Sequence, residues 1–142
     1  MFLNKKDFSF LVKNGPIISI DLCIIQNKSI LLGKRTNPPA KNYLFVPGGR
    51  IYKNETIPIA LERIIKTELG IFSIDLIKKE FLGVFEHFYQ DNFLDNANFN
   101  SHYVVLAYVI FLNSYEPKLK EQHSEYLWYN KNIKNIDYVE KN

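Results

Sequence analysis

Cysteine is nearly absent from this chain: Cys23 has no second thiol for an intramolecular disulfide. No nucleophile or metal-ligand motif surrounds it, so it is expected to be buried and inert. Glycine and proline, six of each, are too few for a fibrous or low-complexity chain and mark separate turns. No block of one charge occurs, and the net charge of +3 comes from lysines and glutamates spread along the whole length. Without a basic arm or stripe, nucleic acid is not an expected partner. Asp21 interrupts the apolar run 17–25, and no run is long enough to span a bilayer. The first eight residues lack the apolar centre of a signal peptide. A cytoplasmic protein with no membrane partner is the expectation.

What remains is globular. With 142 residues, 46% hydrophobic and 15% aromatic, the chain builds one domain (1–142) and has enough Phe and Tyr to line a pocket as well as a core. A short helix is predicted over 4–13, ended by Asn14-Gly15-Pro16. Strands are predicted over 16–26 and 29–34, joined across Asn27-Lys28, then over 43–46, leading into a Pro47-Gly48-Gly49 loop. A helix follows, capped by Asn54 or Thr56, with Pro58 in its first turn and Gly70 at its stop. Ile57, Ala60, Leu61, Ile64, Ile65 and Leu69 recur on one face of it. Strands over 81–89, 102–112 and 127–129 and a terminal helical turn over 133–139 complete an α/β fold, a mixed sheet with helices on both faces.

Gly49, Glu55, Arg63, Glu68, Gly70 and Ile71 fall at the spacing Gly-x5-Glu-x7-Arg-x4-Glu-x-Gly-apolar. This resembles the Nudix box with two carboxylates missing, because Ile64 and Thr67 stand where Glu is expected. Residues 64, 67 and 68 share one helical face, where a full set of carboxylates gathers several divalent ions; Glu68 alone holds at most one hard cation with some of its waters. The segments 33–37, 45–50, 82–93, 102–106 and 121–123 are similar to the GDP-mannose mannosyl hydrolases, a divergent Nudix branch that lacks the same two carboxylates. The resemblance covers nearly the whole chain, ending after Trp128.

That resemblance implies a Nudix-type α/β/α sandwich, one Mg²⁺ per active site, a homodimer, and hydrolysis of GDP-mannose, with GDP-glucose as a further substrate, to GDP and free sugar. It also implies Glu68, the side-chain oxygen of Gln122 and the Gly48 carbonyl as metal ligands, and His123 as the base that activates water against sugar C1 with inversion. Arg35, Arg50 and Arg63 are the cations for the leaving diphosphate, with Tyr103 as a hydrogen-bond donor. Arg63 has a second expected role, bracing Glu55, of equal weight. Asp21, in an apolar strand, resembles a family residue that helps place substrate or arginine, and an ion pair with Arg35 or Arg50 is expected. His87 resembles a family residue near the sugar or one shell behind it, with a strand histidine satisfied by a neighbour as the equal alternative, and Phe8 or a nearby ring stacks guanine. His102 is expected to be structural. Two alternatives stay open: a Nudix pyrophosphohydrolase cleaving P–O–P in nucleoside diphosphate sugars, and a catalytically silent nucleotide-sugar-binding module.

Overall fold

The computed structural model describes residues 2–39, 41–93, 98–118 and 123–130. The predicted turn over 133–139 lies outside them, as does Gln122. Helix α1 (Lys5–Asn14) starts where the Asn4 side chain accepts the Asp7 N–H at 2.9 Å. It leads into strand β1 (Ile17–Gln26), the centre of a mixed sheet. Asn27 and Lys28 both take positive φ, at 51° and 61°. That geometry makes the tight two-residue turn that sets Gln26 opposite Ser29 and starts β2 (Ser29–Arg35).

The hairpin is short-lived. β1 and β2 pair only beside the turn. β2 then pairs with β3 (Leu44–Phe45) and β7 (His123–Tyr129). β1 pairs in parallel with β6 (Ser101–Phe111), and β5 (Lys78–Tyr89) lies antiparallel on the far side of β6. The segment expected as a Pro47-Gly48-Gly49 loop is in fact partly a strand, β4 (Gly48–Arg50), antiparallel to β1. β7 and β5 each begin earlier than their sequences indicate, because pairing with β2 and β6 extends them.

α2 (Ile57–Ile64) is capped by Thr56, whose Oγ1 accepts the Ile59 N–H; Asn54 instead takes a left-handed conformation (φ 69°) in the turn before it. The helix continues as a π-helical turn, Ile65–Leu69, and stops at Gly70 (φ 68°), whose N–H returns to the Lys66 carbonyl. Thr67 Oγ1 donates back to the Arg63 carbonyl at 2.7 Å, a side-chain bond that competes with the regular helical ladder. The inward face of α2 and this turn supplies Ala60, Leu61, Ile64, Ile65 and Leu69 to a core closed by Ile20, Leu22, Ile24, Leu31 and Ile110. α1 packs on β6 and α2 on β1 and β4. The expected α/β/α sandwich is therefore present.

Candidate active site

A cavity of about 430 Å³ opens beside β4, within the range of small-molecule sites. Phe8, Asp21, Arg35, Gly48, Arg50, Arg63, Glu68, His87 and Tyr103 all line it. Residues scattered over nearly a hundred positions thus converge on one space. His123 opens β7 with its backbone opposite Arg35. Its side chain, like Gln122, lies outside the described residues. His102 stands away from the cavity, its ring stacked on Phe88 at 4.3 Å.

The backbone near Gly48 leaves no room for a side chain. A Cβ there would lie 2.5 Å from the Ile20 carbonyl oxygen and 2.8 Å from Asp21 Oδ1. Only glycine lets β4 lie this close to β1, and the close approach sets the Asp21 carboxyl against the Gly48 backbone. Asp21 makes no ion pair within 4 Å among the described residues, which corrects the expected pairing with Arg35 or Arg50. Burial raises its pKa to about 7, and the positive charge of Arg35 only partly offsets that effect. The reason is that each arginine is held elsewhere. Arg35 Nε donates to the Pro39 carbonyl at 2.9 Å. The Arg50 guanidinium lies 4.8 Å from the Tyr52 ring centre and 5.2 Å from that of Phe8.

Arg63, which lines the cavity, forms the expected brace to Glu55. Its Nε donates to Glu55 Oε1 at 2.6 Å and its Nη2 to Glu55 Oε2 at 2.9 Å and the Arg50 carbonyl at 2.7 Å. The Tyr52 N–H also donates to Glu55, at 2.8 Å. This fork, with the backbone bond, holds Glu55 down to a pKa of about 2. The brace locks the β4 turn onto α2, and with it the register of Gly48 against β1.

Several contributors were not singled out in the sequence. Tyr52 lies between the two arginines, 3.8 Å from the Arg63 guanidinium carbon; its place two residues after Arg50 was the available signal. Phe93 faces Phe8 at 4.6 Å and closes the aromatic side of the cavity. Tyr115 donates from its hydroxyl to the Leu69 carbonyl at 3.0 Å, pinning the turn that carries Glu68. Its own backbone is held by paired bonds to the Gln26 amide. Burial first, then Tyr126 and Glu68, push the Tyr115 hydroxyl up to about 12. Cys23 is half-buried and pushed up to about 11 by burial and by Asp21, so it is a poor nucleophile.

The NUDIX domain model matches residues 16–132. The chain belongs to the Nudix hydrolase family. Among Nudix relatives, it is 37% identical over 119 residues to the low-salt glycan biosynthesis protein Agl8 of Haloferax volcanii, covering 84% of this chain and 74% of that one. It is also 37% identical over 70 residues to an ADP-ribose pyrophosphatase of Methanocaldococcus jannaschii, a match spanning 49% of this chain and 40% of that protein. The fold superposes on the MutT NUDIX hydrolase of Burkholderia pseudomallei with a TM-score of 0.63 and 26% identity, covering 82% and 84% of the two chains. No helix among the described residues is long and apolar enough to cross a membrane.

Nudix enzymes use divalent metal ions such as Mg²⁺. The residues present suit a hard cation, because the cavity offers oxygen donors: the Glu68 carboxylate and the backbone at Gly48. Among the described residues no group of three or more His, Cys, Asp or Glu forms a denser cluster.

Proposed function

We propose that this Nudix protein hydrolyses a GDP-sugar, GDP-mannose or GDP-glucose, to GDP and the free sugar by water attack at sugar C1. The observation that carries this reading is the lone box carboxylate. Glu68 lines the cavity with three arginines, while Ile64 and Thr67 occupy the positions where further acidic ligands stand in the full box. Attack on phosphorus in the Nudix manner draws on several clustered ions, whereas departure of an intact diphosphate needs only positive charge around the leaving group. Glu68, Gln122 and the Gly48 carbonyl would hold one Mg²⁺, whose charge, when bound, favours departure of the diphosphate.

The chain's own groups do the rest. Arg35 and Arg50 present guanidinium forks to the phosphate oxygens, and Tyr103 offers a hydroxyl kept protonated by burial. Arg63 acts through the brace that holds the turn. Phe8 with Phe93 offers the aromatic face for guanine. Asp21 and His87 face the sugar. His123 takes the proton from the attacking water, an imidazole with a reference pKa of ~6.5 suited to that work. Attack opposite the diphosphate inverts the anomeric carbon, as in inverting glycoside hydrolysis. The α-linked sugar leaves as the β-anomer. A relative named for glycan biosynthesis fits a substrate that carries a sugar.

A second reading, P–O–P cleavage of a nucleoside diphosphate sugar, is supported by the family match itself and by the partial match to an ADP-ribose pyrophosphatase. Hydrolysis in ¹⁸O-labelled water separates the two. Label in the sugar is the expected result, with GDP-mannose turned over faster than ADP-ribose. Label in phosphate would establish the second reading, and tight binding of GDP-mannose without turnover would make the protein a binding module.

A further inference from the structure

Arg50 and Arg63 reach the same place from different elements, Arg50 at the end of β4 and Arg63 within α2. Two positions apart on an extended segment, Arg50 and Tyr52 share a face. Ile51 between them donates its N–H to the Ile18 carbonyl at 2.9 Å and packs against the core. The Tyr52 backbone is then fixed on both sides by Glu55. Its N–H donates to the carboxylate at 2.8 Å, and its carbonyl accepts the Glu55 N–H at 3.1 Å. The ring so placed has its centre 3.8 Å from the Arg63 guanidinium carbon and 4.8 Å from that of Arg50.

One ring thus meets two like charges. Cations that share a ring this way stand inside the screening length of about 10 Å and repel each other. Burial lowers the pKa of Arg50 and the charge of Arg63 adds to that effect, while Tyr52 and Glu55 oppose it. The negative face of an aromatic ring offsets the cost of both charges. It also differs from a hydrogen-bond partner in a way that matters here. Arg63 commits Nε and Nη2 to the brace, and Arg35 commits Nε to the Pro39 carbonyl. A ring contact uses none of the five guanidinium N–H donors. Arg50 has two such contacts, with Tyr52 and with Phe8 at 5.2 Å, and N–H donors are what a phosphate engages. Tyr52 itself lines the cavity and is backed by Phe2, whose ring centre is 5.8 Å away.

We propose that Tyr52 is a positioning residue for Arg50: its ring steadies Arg50 beside the like charge of Arg63 and presents the Arg50 guanidinium to a diphosphate in the cavity. The two arginines then divide their work, Arg63 serving the scaffold and Arg50 the ligand. A residue of ordinary size without a ring at position 52 would leave Arg50 with Phe8 alone to hold it against that repulsion. The inference rests on the function proposed above only in requiring a ligand that carries a diphosphate, a requirement that P–O–P cleavage shares.

Titration calorimetry of the full chain with inorganic pyrophosphate, GDP and ADP in the presence of Mg²⁺ tests it. Tyr52→Leu is expected to weaken pyrophosphate binding by roughly tenfold, the loss of one partly buried cation–π contact. Tyr52→Phe keeps the ring and should change binding by less than about twofold. Tyr52→Met is a second variant without the ring, read in the same way if Tyr52→Leu does not fold. In an Arg50→Ala background, removal of the ring should weaken binding no further, because the residue it acts through is gone. A general loosening of the fold would instead weaken binding equally with and without Arg50, and that result overturns the proposal. Tyr52→Phe as weak as Tyr52→Leu would assign the effect to the hydroxyl and overturn it too. So would a loss confined to GDP, which would make Tyr52 a contact of the base, and so would a wild type that does not bind pyrophosphate. Failure of the GDP-sugar reading shows separately, as pyrophosphate bound with the expected coupling and GDP bound no more tightly than ADP.

Discussion

Glu55 and Asp21 are carboxylates of the same site in opposite states. Glu55 is gripped by a guanidinium fork and a backbone N–H and stays ionised down to a pKa of about 2. Asp21 is desolvated beside Gly48 with no ion pair among the described residues, and burial lifts it to about 7. A satisfied carboxylate holds the scaffold together. An unsatisfied one stores interaction energy that a substrate hydroxyl or cation can release on binding. The split between them separates a carboxylate that fixes the shape of the scaffold from one left desolvated at the cavity wall.

The largest expected effect comes from abolishing the Asp21 side of this contrast. Its folded-state pKa is raised above the ordinary value of 3.8, so the folded protein keeps a proton that the unfolded chain gives up. Stability contributed this way is complete below about pH 3.8 and declines as pH rises to about 7, by no more than roughly 4 kcal/mol. Urea denaturation of the ligand-free protein between pH 4 and 8 should show that decline in the wild type and its loss in Asp21→Asn. An identical slope in both proteins would place the titration elsewhere.

Glu55 shifts the other way. Its depressed pKa makes its contribution complete above about pH 4.5 and lost as pH falls toward 2. Glu55→Gln, which keeps the shape but removes the charge that grips Arg63, should cost roughly 2–3 kcal/mol at neutral pH. Thermal melting would show a fall of several degrees, and this penalty should fade in acid, where the wild-type pair itself is lost. A melting temperature unchanged at pH 7 would mean that the brace is dispensable.

The smallest effect concerns the turn that carries Glu68. That turn is held from behind by the Tyr115 hydroxyl on the Leu69 carbonyl. Tyr115→Phe deletes that bond at a cost of about 1 kcal/mol. Hydrogen exchange should rise at the amides of 68–70 with little change in α2 before it. Uniform protection across both segments would show that Gly70 and the core hold the turn unaided.

Much of this architecture was legible in the sequence because local rules govern it. Thr56, Pro58 and Gly70 delimit the helix, Asn27-Lys28 accepts the left-handed turn, and the apolar spacing from Ile57 to Leu69 names the inward face. The box spacing also put Glu55 within reach of Arg63. Less legible were β4, which is a strand only because β1 lies alongside, and Tyr52, which matters only because two arginines converge on it.

Chain order and residue type alone thus determined the family and most of the elements, since caps, periodicity and motif spacing act over short separations. Tertiary structure alone decided that Arg63 grips Glu55 and that Asp21 is buried with no ion pair among the described residues, the charge of Arg35 offsetting only part of its desolvation. Each of those depends on which distant backbone lies within a few ångströms, and neither charge pairing nor desolvation has a value until that distance is set.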